Sequence, residues 1–408
     1  MRDILFVELL GGIGDVLIAL PAIQALGRSR PEAKITVLTF APGGELLEND
    51  PLIHRIICVD KGKTKHPHLA RKSVEELLAQ QRFDLIVSDS NYDGIDRVIQ
   101  DSGALRMVTN LWRSPPPNEL VGDRFLQILL DEGLIAPEAI ATPQLHLSAT
   151  EQRYTQQMLS DLRRPLVVLY PDAGMAIKQW SIANFVSLGQ DLQQRYGATI
   201  IVPIGSDPQQ AIQIAREIGG ETKVLPRGTL CEFASAIAGI DLFVAADTGP
   251  ARIAAALGIP TITLFGPSWH ERYGQPPPHV NLQGYPECPE RTIHNFTLQH
   301  CWYTGVCPLG HWQTCLEAIT PAEVLTVAAK LLEERMGQGD TGTRGHGDKE
   351  DKEDKVTRGI LQSSPLVPLA PNPHSVGTPS SPSPLSSPAS LALQKWATAR
   401  NILVMRLD

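Results

Sequence analysis

The sequence predicts an α/β protein made of two doubly wound domains that face one another. Three observations predict it. Short apolar runs alternate with longer helix-forming stretches through about residue 335. The alternation starts afresh near Leu166. Several of the apolar runs end in a small-residue turn that opens directly into a helix. Strands that read as unbroken apolar runs lie in parallel sheets covered on both faces. Ligands of such sheets bind beyond the carboxyl ends of the strands, here in the cleft between the domains.

The elements follow in order. Ile4 to Leu9 reads as a strand and Asp15 to Arg28 as a helix. Ile35 to Phe40 and Ile56 to Val59 are strands, Val74 to Gln81 a helix, and Leu85 to Ser88 a strand. Arg124 to Glu132 and the polar stretch Thr150 to Arg163 read as helices. The second series begins with strand Leu166 to Tyr170 and helix Ile182 to Tyr196. It continues with strand Thr199 to Ile204 and helices Gln209 to Ile218 and Leu230 to Ala238. Strand Leu242 to Ala245, helix Ala251 to Leu257 and strand Thr261 to Leu264 complete it. Residues 1–150 and 165–335 are thus the two expected domains.

The 408 residues suit two domains plus extras. Gly337 to Ala399 is rich in Gly, Pro, Ser and alternating charge, a composition that buries too little apolar surface to offset its ordering entropy. Residues 337–399 are therefore expected to be a disordered linker. The final stretch Arg400 to Asp408 echoes Arg2 to Leu10. It reads either as the truncated first strand of a second copy or as a chance strand-like tail. The first reading suggests a chain that once continued, or still does in a longer relative, into a second unit.

A net charge of −8 and a pI near 5.8 argue against a nucleic-acid binder. No apolar run approaches membrane-spanning length. Glu8 interrupts the first apolar run, so the amino terminus does not read as a signal peptide. The expected location is the cytoplasm, with any membrane contact peripheral.

The candidate chemistry lies at the strand ends. The first strand runs into Gly11-Gly12-Ile13-Gly14-Asp15, and a helix follows. Such a turn lets the backbone approach an anion at the electropositive helix start. Gly11, Gly12 and Gly14 are its candidate phosphate or acceptor loop. The pattern is neither a dinucleotide fingerprint nor a Walker A motif. Asp15 can cap the helix or act as a base. In the second domain, Ala246-Asp247-Thr248-Gly249-Pro250 ends a strand and opens another helix, with a hydroxyl beside the anion site. The strand ends at Phe265-Gly266-Pro267-Ser268 and Tyr170-Pro171-Asp172 would lie nearby, the latter followed by Lys178. Lys178 could neutralise a diphosphate or stand as a solvated surface lysine.

Cys288, Cys301, Cys307 and Cys315 share one window with His300, His311, Trp302, Tyr303 and Trp312. No C-x-x-C pair is present. Packed free thiols, a metal and a disulfide all stay open.

These segments resemble glycosyltransferase family 9, the lipopolysaccharide heptosyltransferases and their relatives. The resemblance rests on Gly12-Ile13-Gly14-Asp15-Val16-Leu17 with Leu20-Pro21-Ala22, and on Lys178-Gln179-Trp180. It rests also on Asp247-Thr248-Gly249-Pro250 with Ala254 to Pro260, and on Leu264 to Ser268. It implies a GT-B fold, with the acceptor on the amino-terminal domain and the nucleotide-sugar donor on the other. It implies inversion at the anomeric carbon, with no metal and no cofactor. Asp15 would be the general base. Lys178 would meet the donor phosphates, and Asp247, Thr248, Gly249 and Pro250 would hold the donor. The implied donor is an ADP-heptose-like nucleotide sugar, and the implied acceptor is a lipopolysaccharide or other cell-surface glycan. Three positions depart from the family pattern. Arg252 stands where the family often has His, and could pair with a phosphate or mark an altered donor. Asp207-Pro208-Gln209-Gln210 lacks the usual Glu, and Glu8 replaces a usually basic residue. The alternatives are a degenerate nucleotide-sugar-binding module without turnover and a GT-B sugar-nucleotide epimerase.

Overall fold

The structure, a computed structural model, describes residues 1–60, 68–113, 118–291, 293, 300–310 and 314–339. The stretch 340–408, with most of the expected linker and the whole terminal echo, lies outside the described residues.

The first series is β1 (Asp3–Glu8), α1 (Ile13–Ser29), β2 (Lys34–Phe40), β3 (Arg55–Val59), α2 (Leu69–Gln80), β4 (Leu85–Ser88), α3 (Ile95–Gln100), β5 (Arg106–Val108) and α4 (Val121–Asp131). After α5 (Ala149–Leu159) comes β6 (Leu166–Tyr170), α6 (Ile182–Tyr196), β7 (Thr199–Pro203), α7 (Pro208–Ile218), β8 (Thr222–Leu225) and α8 (Leu230–Ile237). The chain continues through β9 (Leu242–Ala246), α9 (Gly249–Ala256), β10 (Thr261–Phe265), α10 (His270–Tyr273), β11 (Val280–Gln283), α11 (His300–Thr304) and α12 (Pro321–Gly339).

Two parallel sheets result, ordered β3-β2-β1-β4-β5 and β11-β10-β9-β6-β7-β8. In each the order reverses beside its first strand, between β1 and β4 and between β6 and β9. Ligand crevices of doubly wound sheets open at such switch points. The two-series α/β architecture is as the sequence predicts. The strands missing from the sequence reading are β5, β8 and β11, all at sheet edges. An edge strand needs no unbroken apolar run, and Val280-Asn281-Leu282-Gln283 is only half-buried. Helix α12 was also not anticipated. It packs on α6 through Val324, Leu325, Ala328, Leu331 and Leu332.

Helix α1 decides where the cleft lies. Val16 to Gly27 is buried apart from Pro21, so this helix is covered nearly all round. It packs against α4 on one side and α9 on the other. One apolar core therefore joins Leu20, Ile23 and Leu26 of α1 to Ile253 and Ala254 of α9. Each buried Leu or Ile contributes roughly 1.5–3 kcal/mol over exposure. Two further cores fill the outer faces, one under α2 and α3 and one under α6, α7 and α12.

Candidate active site

The start of α1 supplies one wall of the cleft. Gly11 takes φ 103°, a left-handed turn that a side chain would strain. The Gly12 N–H then donates to Asp15 Oδ2 at 2.9 Å. Asp15 thus caps the first turn and, with Gly14, also lines the cleft. The two readings of Asp15 are compatible. Gly11 and Gly12 shape the turn without lining the cleft.

The start of α9 supplies the facing wall. A Cβ on Gly249 would lie 3.0 Å from the Ile13 Cβ, so a larger residue at 249 would press the two helix starts apart. Both helices direct their first-turn N–H groups and positive dipole ends to this region. Pro250 occupies the first turn of α9, where its missing N–H costs nothing, and does not line the cleft.

A charged cluster sits between these helix starts. Lys178 follows β6 and Asp247 follows β9, so the second switch point brings them together. Lys178 Nζ donates to Asp247 Oδ2 at 2.8 Å, and Ser268 Oγ donates to the same oxygen at 2.7 Å. Arg252 Nη2 lies 3.8 Å from Asp247 Oδ1 and also donates to the Tyr273 carbonyl. Burial alone would raise the Asp247 pKa, but Lys178 and Arg252 outweigh it and hold the carboxyl below its ordinary value. Lys178 is therefore no solvated surface lysine; its side chain is 14% exposed. Thr248 Oγ1 is buried in the same wall and has no hydrogen-bond partner. An orphaned buried hydroxyl beside a cation cluster suits a polar ligand.

The cleft holds about 430 Å³. Gly14, Asp15, Lys178, Asp247, Thr248, Gly249 and Arg252 all line it. Leu10, Trp112 and Tyr273 add apolar and aromatic surface that the sequence reading did not assign. At the departure from the family pattern, Asp207 accepts from Gln209 N at 2.9 Å and caps α7. The arrangement offers a carboxylate facing fixed positive charge, as a displacement with an anionic leaving group requires.

Behind Asp15 lies a carboxylate pair. Glu8 ends β1 between Thr39 on β2 and Asp89 just beyond β4. Both acids are buried. Glu8 accepts from Thr39 Oγ1 and from Leu10 N, the latter at 3.1 Å. Asp89 accepts from Ser90 Oγ at 2.9 Å, while its Oδ2 is buried without a hydrogen-bond partner. Burial pushes the Glu8 carboxyl up to about 7; the Thr39 bond opposes this and the nearby Asp15 charge adds to it. Burial, then Glu8, raises Asp89 well above its ordinary value. The signal for Asp89 was its place directly after a short strand, one step beyond the Val7–Ser88 pair and level with Glu8 at the end of β1.

A pH dependence follows. Unfolded Glu8 releases its proton near 4.5, while folded Glu8 keeps it to about 7. Its contribution is complete below 4.5 and is lost as pH rises through 7. Thermal melting should therefore move to lower temperature between pH 5 and pH 8. Glu8→Gln should shrink that fall; an undiminished fall in the variant would place its origin elsewhere.

All six cysteines are free thiols, so the disulfide alternative falls. Cys288, Cys301, Cys307 and Cys315 line one small chamber of about 20 Å³. Burial raises Cys301 and pushes Cys315 up to about 11, so both are packed as neutral thiols. Among the described residues no group of three His, Cys, Asp or Glu side chains is arranged to hold a metal ion. His311 and Trp312 lie outside the described residues.

Comparison with known proteins agrees with this fold. Residues 105–294 match glycosyltransferase family 9 (heptosyltransferase). The chain is 24% identical over 352 residues to lipopolysaccharide heptosyltransferase 2 of Escherichia coli K12, covering 78% of this chain and 96% of that protein. It is 23% identical over 279 residues to an Escherichia coli lipopolysaccharide heptosyltransferase 3, covering 63% and 82%. Among solved structures it is similar to a family 9 glycosyltransferase from Veillonella parvula. The TM-score there is 0.68 at 18% identity, covering 82% of this chain and 98% of the other. The E. coli ADP-heptose heptosyltransferase II structure gives 0.61 at 21% identity, covering 82% and 100%. These two structures share the fold, which is GT-B. With two facing parallel sheets, a cleft at both switch points and these sequence matches, the chain is a glycosyltransferase that resembles the heptosyltransferases of family 9.

Proposed function

We propose that this chain moves a heptose-type sugar from an ADP-activated donor to a hydroxyl of a lipopolysaccharide or similar cell-surface glycan, with inversion and without a metal. The observation that carries the reading is the cleft itself, where Asp15 on α1 faces Lys178 after β6 and Asp247, Thr248 and Arg252 at the start of α9. The names of the heptosyltransferase relatives support the choice of sugar and acceptor.

Asp15 takes the proton of the acceptor hydroxyl as that oxygen attacks the anomeric carbon from the amino-terminal side. The bond to the diphosphate breaks on the opposite face, so the configuration inverts. Lys178, the α9 start and Arg252 receive the negative charge that grows on the leaving diphosphate. That is the charge stabilisation a divalent cation provides in other transferases. Asp247 keeps Lys178 extended into the cleft, and Thr248 and Gly249 meet the donor. Gly11, Gly12 and Gly14 shape the acceptor side, and Pro250 fixes the α9 start. No helix among the described residues is long and apolar enough to cross a membrane. The glycolipid is reached by peripheral contact at the cytoplasmic face.

A turnover assay tests this. The protein is incubated with a panel of nucleotide sugars and a lipopolysaccharide core acceptor, with and without EDTA. ADP release should require both ADP-heptose and acceptor, and EDTA should not change it. NMR of the product should give the inverted anomer. Donor binding without release of any nucleotide would instead support a binding module. Interconversion of the donor sugar without transfer would support an epimerase.

A further inference from the structure

The thiol chamber and the cleft share a wall, and that wall points to a further donor-site residue. Three pairs of consecutive residues build it. Ile177, Pro267 and Cys301 line the chamber, while their successors Lys178, Ser268 and Trp302 line the cleft. Each segment therefore turns one side chain to each cavity. The chamber side is anchored independently. Thr314 Oγ1 donates to the Ile177 carbonyl, and Arg291 Nη2 donates to the Gly266 and Gly284 carbonyls, both at 3.0 Å. Cys301 is buried, so its neighbour Trp302 is carried on a packed segment.

On the cleft side the Trp302 ring covers the lysine. Lys178 Nζ stands 4.3 Å from the ring centroid, within cation–π range, while Asp247 Oδ2 holds the same ammonium at 2.8 Å. The ammonium thus has a carboxylate on one side and an aromatic face on another. Trp presents the strongest such face of the aromatic residues. A ring in this position shields the ammonium from water, and a charge contact strengthens as water is excluded.

We propose that Trp302 is a donor-affinity residue: its ring roofs Lys178 and sets how tightly the cleft holds the diphosphate of the nucleotide sugar. This rests on the donor reading given above. The ring meets the lysine before and during the reaction alike, so most of its loss falls on donor binding and only a small part on the chemical step.

The test uses the full chain, with ADP as probe in calorimetry and the ADP-sugar in steady-state kinetics. Trp302→Ala should raise the ADP Kd and the donor KM by about 5- to 30-fold, with kcat within about 3-fold of the parent. Trp302→Phe keeps a ring face and should recover most of that loss. A third measurement needs no ligand. The rate at which an amine-acylating reagent modifies Lys178, followed by peptide mass spectrometry, should rise in Trp302→Ala and return towards the parent rate in Trp302→Phe. Parent-like ADP binding by Trp302→Ala would overturn the proposal, as would a Phe variant as weak as the Ala variant. If the parent itself binds no ADP, the donor reading fails and the role of Trp302 with it. The lysine-labelling rates then still report whether the ring covers Lys178, so the two failures are distinguishable.

Discussion

Asp15→Asn is expected to lower kcat by about 10²–10⁴, the usual worth of a positioned general base, while leaving the donor KM close to the parent value. Asparagine is the informative replacement because of what Asp15 does structurally. Its Oδ2 accepts from the Gly12 N–H at the start of α1. An amide oxygen can accept that bond, so the turn at Gly11 and Gly12 is retained. The amide cannot take a proton from the acceptor hydroxyl. Alanine would remove both functions, and the loss of a helix-start bond costs about 0.5–2 kcal/mol. A melting curve recorded beside the kinetics separates the two effects. An Asn variant with parent stability and parent turnover would remove Asp15 from the chemistry. The cap would then be its whole role.

The second large effect concerns the other wall. Lys178→Met should reduce kcat by about 10²–10³, as expected when one preorganised charge contact to a transition state is removed. Methionine has comparable bulk and no charge. Asp247 would keep Ser268 at 2.7 Å and Arg252 at 3.8 Å, so it is not left wholly uncompensated. Removing one partner of a buried ion pair costs about 3–5 kcal/mol. The remaining partners, and the 14% and 12% exposure of the two side chains, place the expected stability loss below that range. Lys178→Arg keeps a positive charge in different geometry and should recover part of the activity. Full turnover in Lys178→Met would assign the diphosphate charge to Arg252 and the α9 start alone.

The roles proposed for Asp15 and Lys178 share one structural origin. Each residue follows the first strand of its sheet, Asp15 after β1 and Lys178 after β6. In a doubly wound sheet that strand lies at the switch point, where the crevice opens. Asp247 follows β9, the strand on the other side of the second switch point, and Asp89 follows β4 beside the first. Four residues that are remote in sequence thus gather at two crevices. The Glu8–Asp89 pair stands directly behind Asp15 and gains its raised pKa values from the same placement, because the ends of central strands are deeply buried.

The sequence determined a great deal by itself. Continuous apolar runs such as Leu5 to Val7 and Phe243 to Ala246 could lie only in the middle of covered parallel sheets, and they do. The edge strands β5, β8 and β11 were not legible, since an edge makes weaker demands on composition. The small-residue turns marked both helix starts, because only those residues allow the chain to turn and approach so closely. Tertiary structure alone decided the rest. Whether Lys178 was a surface lysine or a cleft cation depended on its distance to Asp247, 69 residues away in the chain. Whether Trp302 packed inward or roofed that lysine depended on a wall made of three separate segments. Residue type fixes which interactions a side chain can make; the fold fixes which partner is within reach. At reach of a few ångströms, and in a site largely screened from water, that choice of partner sets the charge, the pKa and the chemistry.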